Sequence, residues 1–354
     1  MKKFKNPFSF QVDYDRQTIF NLASKKEKEE EAYMRPSTTF FGDAIRRFKR
    51  NKIAVISFFF ILFVIIAIIV IPLFYPYGYE QQLGVKPGVP VDGSYNNLAP
   101  FKYGASELER RASGEFIWPH IFGTDSLGRD YFIRVIYGTR VSLLVGFFAA
   151  IVVLIIGTIY GSISAFAGGK VDMIMMRIVD VIYSLPDMVI IILLSVVLNK
   201  AFNFEGTIFE NLGPSLVSIF IVYALLYWVG MARLVRGQVL SIKQTEYVLA
   251  SRSIGSSTGL IIRKHIIPNC LSVIIVSATL QVPSAIFTES FLSFIGLGVS
   301  APMPSLGSLA SDAISSLSIR PYLLLIPAIF ICLIVLALNL MGDGLRDAFD
   351  PKQK

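Results

Sequence analysis

Few residues of this chain have chemical reach, and their spacing narrows what they can do. His120 and His265 are its only histidines and lie far apart in sequence, so neither a His-based catalytic site nor a His-rich metal site is expected. Cys270 and Cys332 each fall inside an apolar run, which implies no disulfide framework. The chain has no G-x-x-x-x-G-K-[ST] loop with which to cradle nucleotide phosphates, so the energy for any ATP-driven task must come from a partner. GTDSLGRD (123–130) lacks both the Gly-Lys pair of a phosphate loop and the alternating oxygen ligands of a calcium loop; it reads as a capped turn leading into a helix. Ionisable residues within apolar runs are functional candidates, because unpaired charge in hydrocarbon costs at least ~2.5 kcal/mol. Asp187 directly follows Pro186, a first-turn arrangement for a carboxylate at a helix N-terminus. Glu289 ends an apolar run and either faces a cavity or holds a loop. Arg177 and Asp180, three apart, can pair on one helix.

The stretch ASRSIGSSTGLIIRKHIIPN (250–269) has the most unusual composition: small residues, two glycines, four basic groups and a closing proline between long apolar runs. TEYVLASRSI (245–254) places Tyr247, Ala250, Ser251 and Ile254 on one helical face, and Gly255 then breaks the helix. Ser256 or Ser257 can cap a second helical segment, and Pro268 suits the first turn of the helix after it. The product is a helix–turn–helix elbow. Its Ala and Ser face admits close approach by another backbone, and Arg252, Arg263 and Lys264 suit an acidic partner or lipid headgroups. A bland interfacial loop would carry larger anchors such as Trp or Phe.

The elements that must hold these residues are membrane spans. A mean hydropathy of +0.61 is too high for a soluble domain of this length. Six runs are long enough to cross a bilayer core of ~30 Å: 53–74, 141–167, 181–199, 212–231, 266–288 and 321–342. None alternates as a membrane strand would. The expected class is an all-α polytopic membrane protein with six transmembrane helices. Placing Lys and Arg on the cytoplasmic side puts both termini there, with 24 of 33 basic residues inside. The first apolar run starts too late and runs too long for a cleaved signal peptide. The expected organisation is a polar cytoplasmic tail (1–42), a basic lead-in and first helix (43–74), a loop-rich extracytoplasmic insert (75–140), a five-helix core (141–342) and a cytoplasmic C-terminal tail (343–354). The core carries a cytoplasmic loop at 232–265 that holds the elbow.

At the elbow the chain resembles the permease subunits of ATP-binding-cassette importers. Their cytoplasmic motif is Glu-Ala-Ala, three residues, Gly, nine residues, Ile, any residue, Leu-Pro. Ala250, Gly255 and Pro268 match in register. Leu249, Ser251, His265 and Ile267 stand where the family usually has Glu, the second Ala, Ile and Leu, and Glu246 lies one turn upstream of the missing carboxylate. FGDAIRRFKRNKIAV (41–55), HIFGTDSLGRDYFIRVIYGTRVSL (120–143), VDMIMMRIVDVIYSLPDMVI (171–190), ESFLSFIGLGVSAPMPSLGSL (289–309) and GDGLRDAFDP (342–351) are similar to blocks of the second permease in the dipeptide, oligopeptide and nickel branch. Leu306 stands where such subunits often carry Trp.

The resemblance implies a type I importer permease fold in a bacterial cell membrane, with no catalytic or metal site and no cofactor of its own. It implies pairing with a homologous permease, docking of two ATPases that bind ATP, and delivery of a peptide by an extracytoplasmic solute-binding protein. Glu246, Leu249, Ala250, Ser251, Arg252, Gly255, His265, Ile267 and Pro268 would form the ATPase-docking loop, and Asp187 and Glu289 are candidates for the pathway or gate. Lipid is an expected partner and nucleic acid is not. A nickel or other small-solute importer is the nearest alternative. An ion-coupled secondary transporter would show an inverted repeat and buried carboxylates, and a purely structural membrane protein would need no small-residue elbow.

Overall fold

The computed structural model describes residues 40–85, 90–201, 214–299 and 301–349. The polar tail before residue 40 and the last residues of the C-terminal tail lie outside the described residues. Among the described residues every regular element is a helix, with only isolated β-bridges at Gln82–Arg129 and Thr124–Asp130.

A basic helix, α1 (Phe40–Arg50), leads to α2 (Lys52–Phe74). Asn51 starts α2 by accepting from the Ala54 amide at 3.2 Å, and no charge interrupts the apolar run after Lys52. Between α2 and the core lies the insert, which carries a short helix, α3 (Ala105–Ala112). The first core helix, α4 (Tyr131–Ala167), begins ten residues before the expected boundary of 141. Asp130 caps it by accepting from the Ile133 amide at 3.0 Å, and this cap carries the helix past Arg134 and Arg140. A π turn at Val153–Gly157 lies within α4.

The expected single span at 181–199 is instead two helices, α5 (Gly169–Tyr183) and α6 (Asp187–Ala201), bent by 86° about Ser184–Pro186. Pro186 has no amide proton to give and disfavours helical backbone at Leu185, and it stands at the bend, whereas Pro72, Pro283 and Pro327 lie inside helices. The expected loop at 168–180 is therefore mostly α5. Among the described residues, five helices are long and apolar enough to span a membrane, and the bent pair makes a sixth crossing when taken as one span.

α7 (Pro214–Leu226) continues into α8 (Trp228–Ile242), well beyond the expected end at 231. After α9 (Glu246–Ser253), a single helix, α10, runs over Thr258–Phe294. It is followed by α11 (Leu306–Ala313) and α12 (Tyr322–Phe349). α10 packs against α4, α11 and α12; α12 packs against α2; and α8 packs against the second half of α4. Glycine makes that last contact: a Cβ on Gly161 would strike the Ala232 carbonyl, and one on Gly157 would lie 2.6 Å from the Met231 Cβ. Gly157 and Gly161 thus serve close helix packing. Buried Ile133, Val135, Ile286, Leu306, Leu309 and Leu338 form the centre of the largest core.

Candidate functional site

The elbow begins where Lys243 Nζ donates to the Ala165 carbonyl at 2.7 Å, fastening the end of α8 to the end of α4. α9 follows and closes on a two-bond C-cap. The Gly255 amide donates to Arg252 O at 3.0 Å and the Ser256 amide to Ser251 O at 3.2 Å, with Gly255 at φ +82°. A side chain at that φ is strained, which is why glycine ends the helix. Ser257 caps the next turn, accepting from Leu260 N at 3.4 Å.

No break precedes Pro268. The chain passes through a π turn at Ile262–Ile266, with Ile267 N donating to Ile262 O, so Ile267 and Pro268 continue α10 instead of starting a separate helix. The wider turn accommodates the proline ring, and Asn269 Nδ2 donates to His265 O at 2.6 Å.

The expected face of α9 divides. Val248 and Ser251 turn inward, Val248 joining Phe166, Val239, Ile261 and Ile266, whereas Tyr247, Leu249, Ala250 and Ile254 face outward. Ile254, at the tip, is 83% exposed. Glu246 is exposed in the first turn, the His265 ring lies 6.3 Å from Tyr247, and Arg252 sits over the Phe166 ring at 5.3 Å. With Arg263 and Lys264 also exposed, the elbow presents an apolar tip on a basic base.

The two candidate pathway residues lie on different helices. Asp187 opens α6, and its side chain lies outside the described residues. Glu289 is fully buried, its carboxylate accepting from Ser142 and Ser293 Oγ at 2.7 Å each. Ser293 Oγ in turn accepts from the Val299 amide at 3.1 Å, tying Glu289 to the loop after α10. A cavity of about 200 Å³ opens instead at the α5–α6 bend, where Tyr183, Tyr227, Gln281 and Ser284 contribute its polar lining. Sequence reasoning did not single these out, although Gln281 is an amide deep within an apolar run and was the available signal.

Arg177 does not take Asp180. The bend lays α5 along α8, so Asp180 pairs with Arg233 at 2.7 Å, and Asp172 receives both arms of Arg236 at 2.6 Å. The Asp172–Arg236 pair is the bidentate fork, whereas Arg233 reaches Asp180 with one nitrogen and lies 4.0 Å over the Tyr183 ring.

At the opposite end of α4, GTDSLGRD forms the capped turn expected of it. Asp125 accepts from the Leu127 and Arg129 amides and from the Arg129 and Arg134 guanidiniums, all within 2.7–2.9 Å. Beside it His120 is completely buried between Asp130 Oδ2 at 2.7 Å and Glu107 Oε2 at 3.2 Å, and the Tyr75 hydroxyl donates to the same Asp130 oxygen at 3.0 Å. Burial alone pulls the imidazolium down, but hydrogen bonds and charge from Asp130 and Glu107 outweigh it and hold His120 up at about 9. Burial beside Asp130 pushes the Tyr75 hydroxyl well above its ordinary range.

The family described as binding-protein-dependent transport system inner membrane component matches residues 157–354, and the N-terminal TM domain of oligopeptide transport permease C matches residues 39–100. The dipeptide transport system permease protein DppC of Bacillus subtilis is 42% identical over 334 residues, covering 94% of this chain and 92% of its own. The oligopeptide transport system permease protein OppC of the same organism is 40% identical over 334 residues, covering 94% and 97%. OppC of Haemophilus influenzae is 43% identical over 312 residues, covering 88% of each chain.

Proposed function

This chain belongs to the inner-membrane components of binding-protein-dependent transport systems, and we propose that within one it is the C-type permease subunit of an ATP-driven importer of oligopeptides or dipeptides. Membership makes it a multi-pass membrane permease, a transporter rather than an enzyme, and implies ATPase and permease partners. In the proposed cycle, a solute-binding protein delivers peptide to a cavity shared with a homologous permease. Of two ATPases below the permease pair, one docks on the elbow, and closure of the ATPases moves it. Lys243, Arg252 and the π turn after Ile261 fasten the elbow to α4, α8 and α10, so its displacement reaches the helices around the α5–α6 bend.

The observation that carries this reading is the elbow itself: a glycine-capped turn with an apolar tip, Ile254, left uncovered over a basic base. Peptide is the proposed substrate because the curated relatives are dipeptide and oligopeptide permeases. The test is uptake into vesicles containing this chain, its partner permease and the ATPases, with the binding protein added. Labelled peptide should accumulate only with ATP and all components present. Accumulation without ATP, or of nickel but not peptide, would overturn it.

A further inference from the structure

Phe116 and Trp118 have no role in the transport reading, yet they are held outward. The segment Glu115–Pro119 lies outside any helix and alternates in exposure: Ile117 is buried, while Phe116 is 78% and Trp118 45% exposed. Their positions are fixed. The Trp118 ring stands edge-on to Phe116 at 6.0 Å and to Tyr75 at 6.1 Å, and the Trp118 carbonyl accepts from the Tyr77 hydroxyl at 2.8 Å. Tyr75 is the residue on which α2 ends, and it is itself anchored to Asp130. This pins the Phe116–Trp118 edge beside the end of α2. In the last turn of α2, Leu73 is 75% and Phe74 76% exposed, so the aromatic edge continues the apolar surface that the span presents to lipid.

Just before Phe116, an exposed Arg110–Glu115 ion pair supplies the polar rim. Outward aromatics at the end of a span, between an apolar helix surface and an exposed ion pair, suit the headgroup region better than bulk water. We propose that the Phe116–Trp118 edge inserts into the lipid headgroup region beside the end of α2, anchoring the insert to the bilayer surface; its occupant is lipid and not a protein partner. This requires only that the chain is a membrane protein and does not depend on the peptide or ATPase assignments.

The chain has two tryptophans, so Trp228→Phe leaves Trp118 as its sole indole emitter. The full chain carrying W228F is placed in phosphatidylcholine vesicles whose acyl chains are brominated either near the headgroup or near the chain end, with acrylamide as the aqueous quencher. Shallow bromine should remove most of the Trp118 emission, deep bromine much less, and acrylamide little relative to the urea-unfolded chain. A second reporter, Phe116→Trp in a W118F/W228F background, should give the same ranking. Acrylamide quenching near the unfolded level with no response to brominated lipid, in either reporter, would overturn the proposal and mark the edge as water-facing and free for a protein. Stronger quenching by deep than by shallow bromine would overturn it as well.

Discussion

His120 sits where three parts of the chain meet: Tyr75 from the end of α2, Glu107 from α3 and Asp130 from the cap of α4. Tyr77 stacks on its other side at 4.7 Å, and Tyr103 lies 6.5 Å away. The imidazole is held at about 9, above the value of about 6.5 it has in an unfolded chain. The folded insert therefore binds this proton more tightly, so its stabilisation is complete below about 6.5 and drains away as pH rises through about 9. Amide hydrogen exchange across 95–130 in the vesicle-bound chain should accelerate over that window beyond the intrinsic pH effect, and His120→Gln should be less protected at pH 6 yet lose the pH dependence. Equal profiles for the two proteins would remove His120 as the staple of the insert. Glu289 offers the contrasting case at this scale: a carboxylate singled out as a gate candidate is enclosed by serine hydroxyls and holds a loop.

At the scale of elements, the elbow is the part with the plainest test. If its exposed face enters a groove on an ATPase, added bulk is what should do damage. Ala250→Trp keeps a workable helix former but enlarges the outward face of α9, and Gly255→Leu must adopt a left-handed backbone at φ +82°, costing ~1–2 kcal/mol. Both should leave insertion and pairing with the second permease intact, read by co-purification, while ATPase binding or coupled uptake is lost. Ser253→Ala removes only a hydroxyl that donates to Leu249 O, and should be nearly silent. Wild-type uptake by Ala250→Trp with a full complement of ATPase would end the docking assignment. The two interhelical ion pairs, Asp172–Arg236 and Asp180–Arg233, belong to the same scale, since they fix α5 to the helix that leads into the elbow.

For the whole molecule, the insert and the elbow lie at opposite ends of α4, so one prediction orients the entire chain. With the exposed Cys332 replaced by Ser, a cysteine at Glu109 should react with a membrane-impermeant maleimide in intact cells, and one at Thr258 should react only after lysis. Labelling at 258 from outside would invert the proposed topology. Much of this architecture was legible in the sequence, because hydrocarbon leaves a span little freedom: apolar length specified most of the spans, GTDSLGRD read as a capped turn, Ser256 or Ser257 was the cap offered in the elbow, and Gly255 marked its break. These are local properties, written within a few residues of where they act. What the sequence could not carry were contacts between distant segments. Pro186 announced a break but not an 86° bend, and that bend decides that Asp180 meets Arg233 rather than Arg177. The burial of Glu289 depends on Ser142, a residue 147 positions away, and the raised His120 depends on carboxylates that only the folded insert brings to both of its ring nitrogens. Local chemistry determined which segments become helices and where the elbow turns, and packing decided which polar groups end up facing one another, because a buried charge takes whatever partner the fold sets beside it.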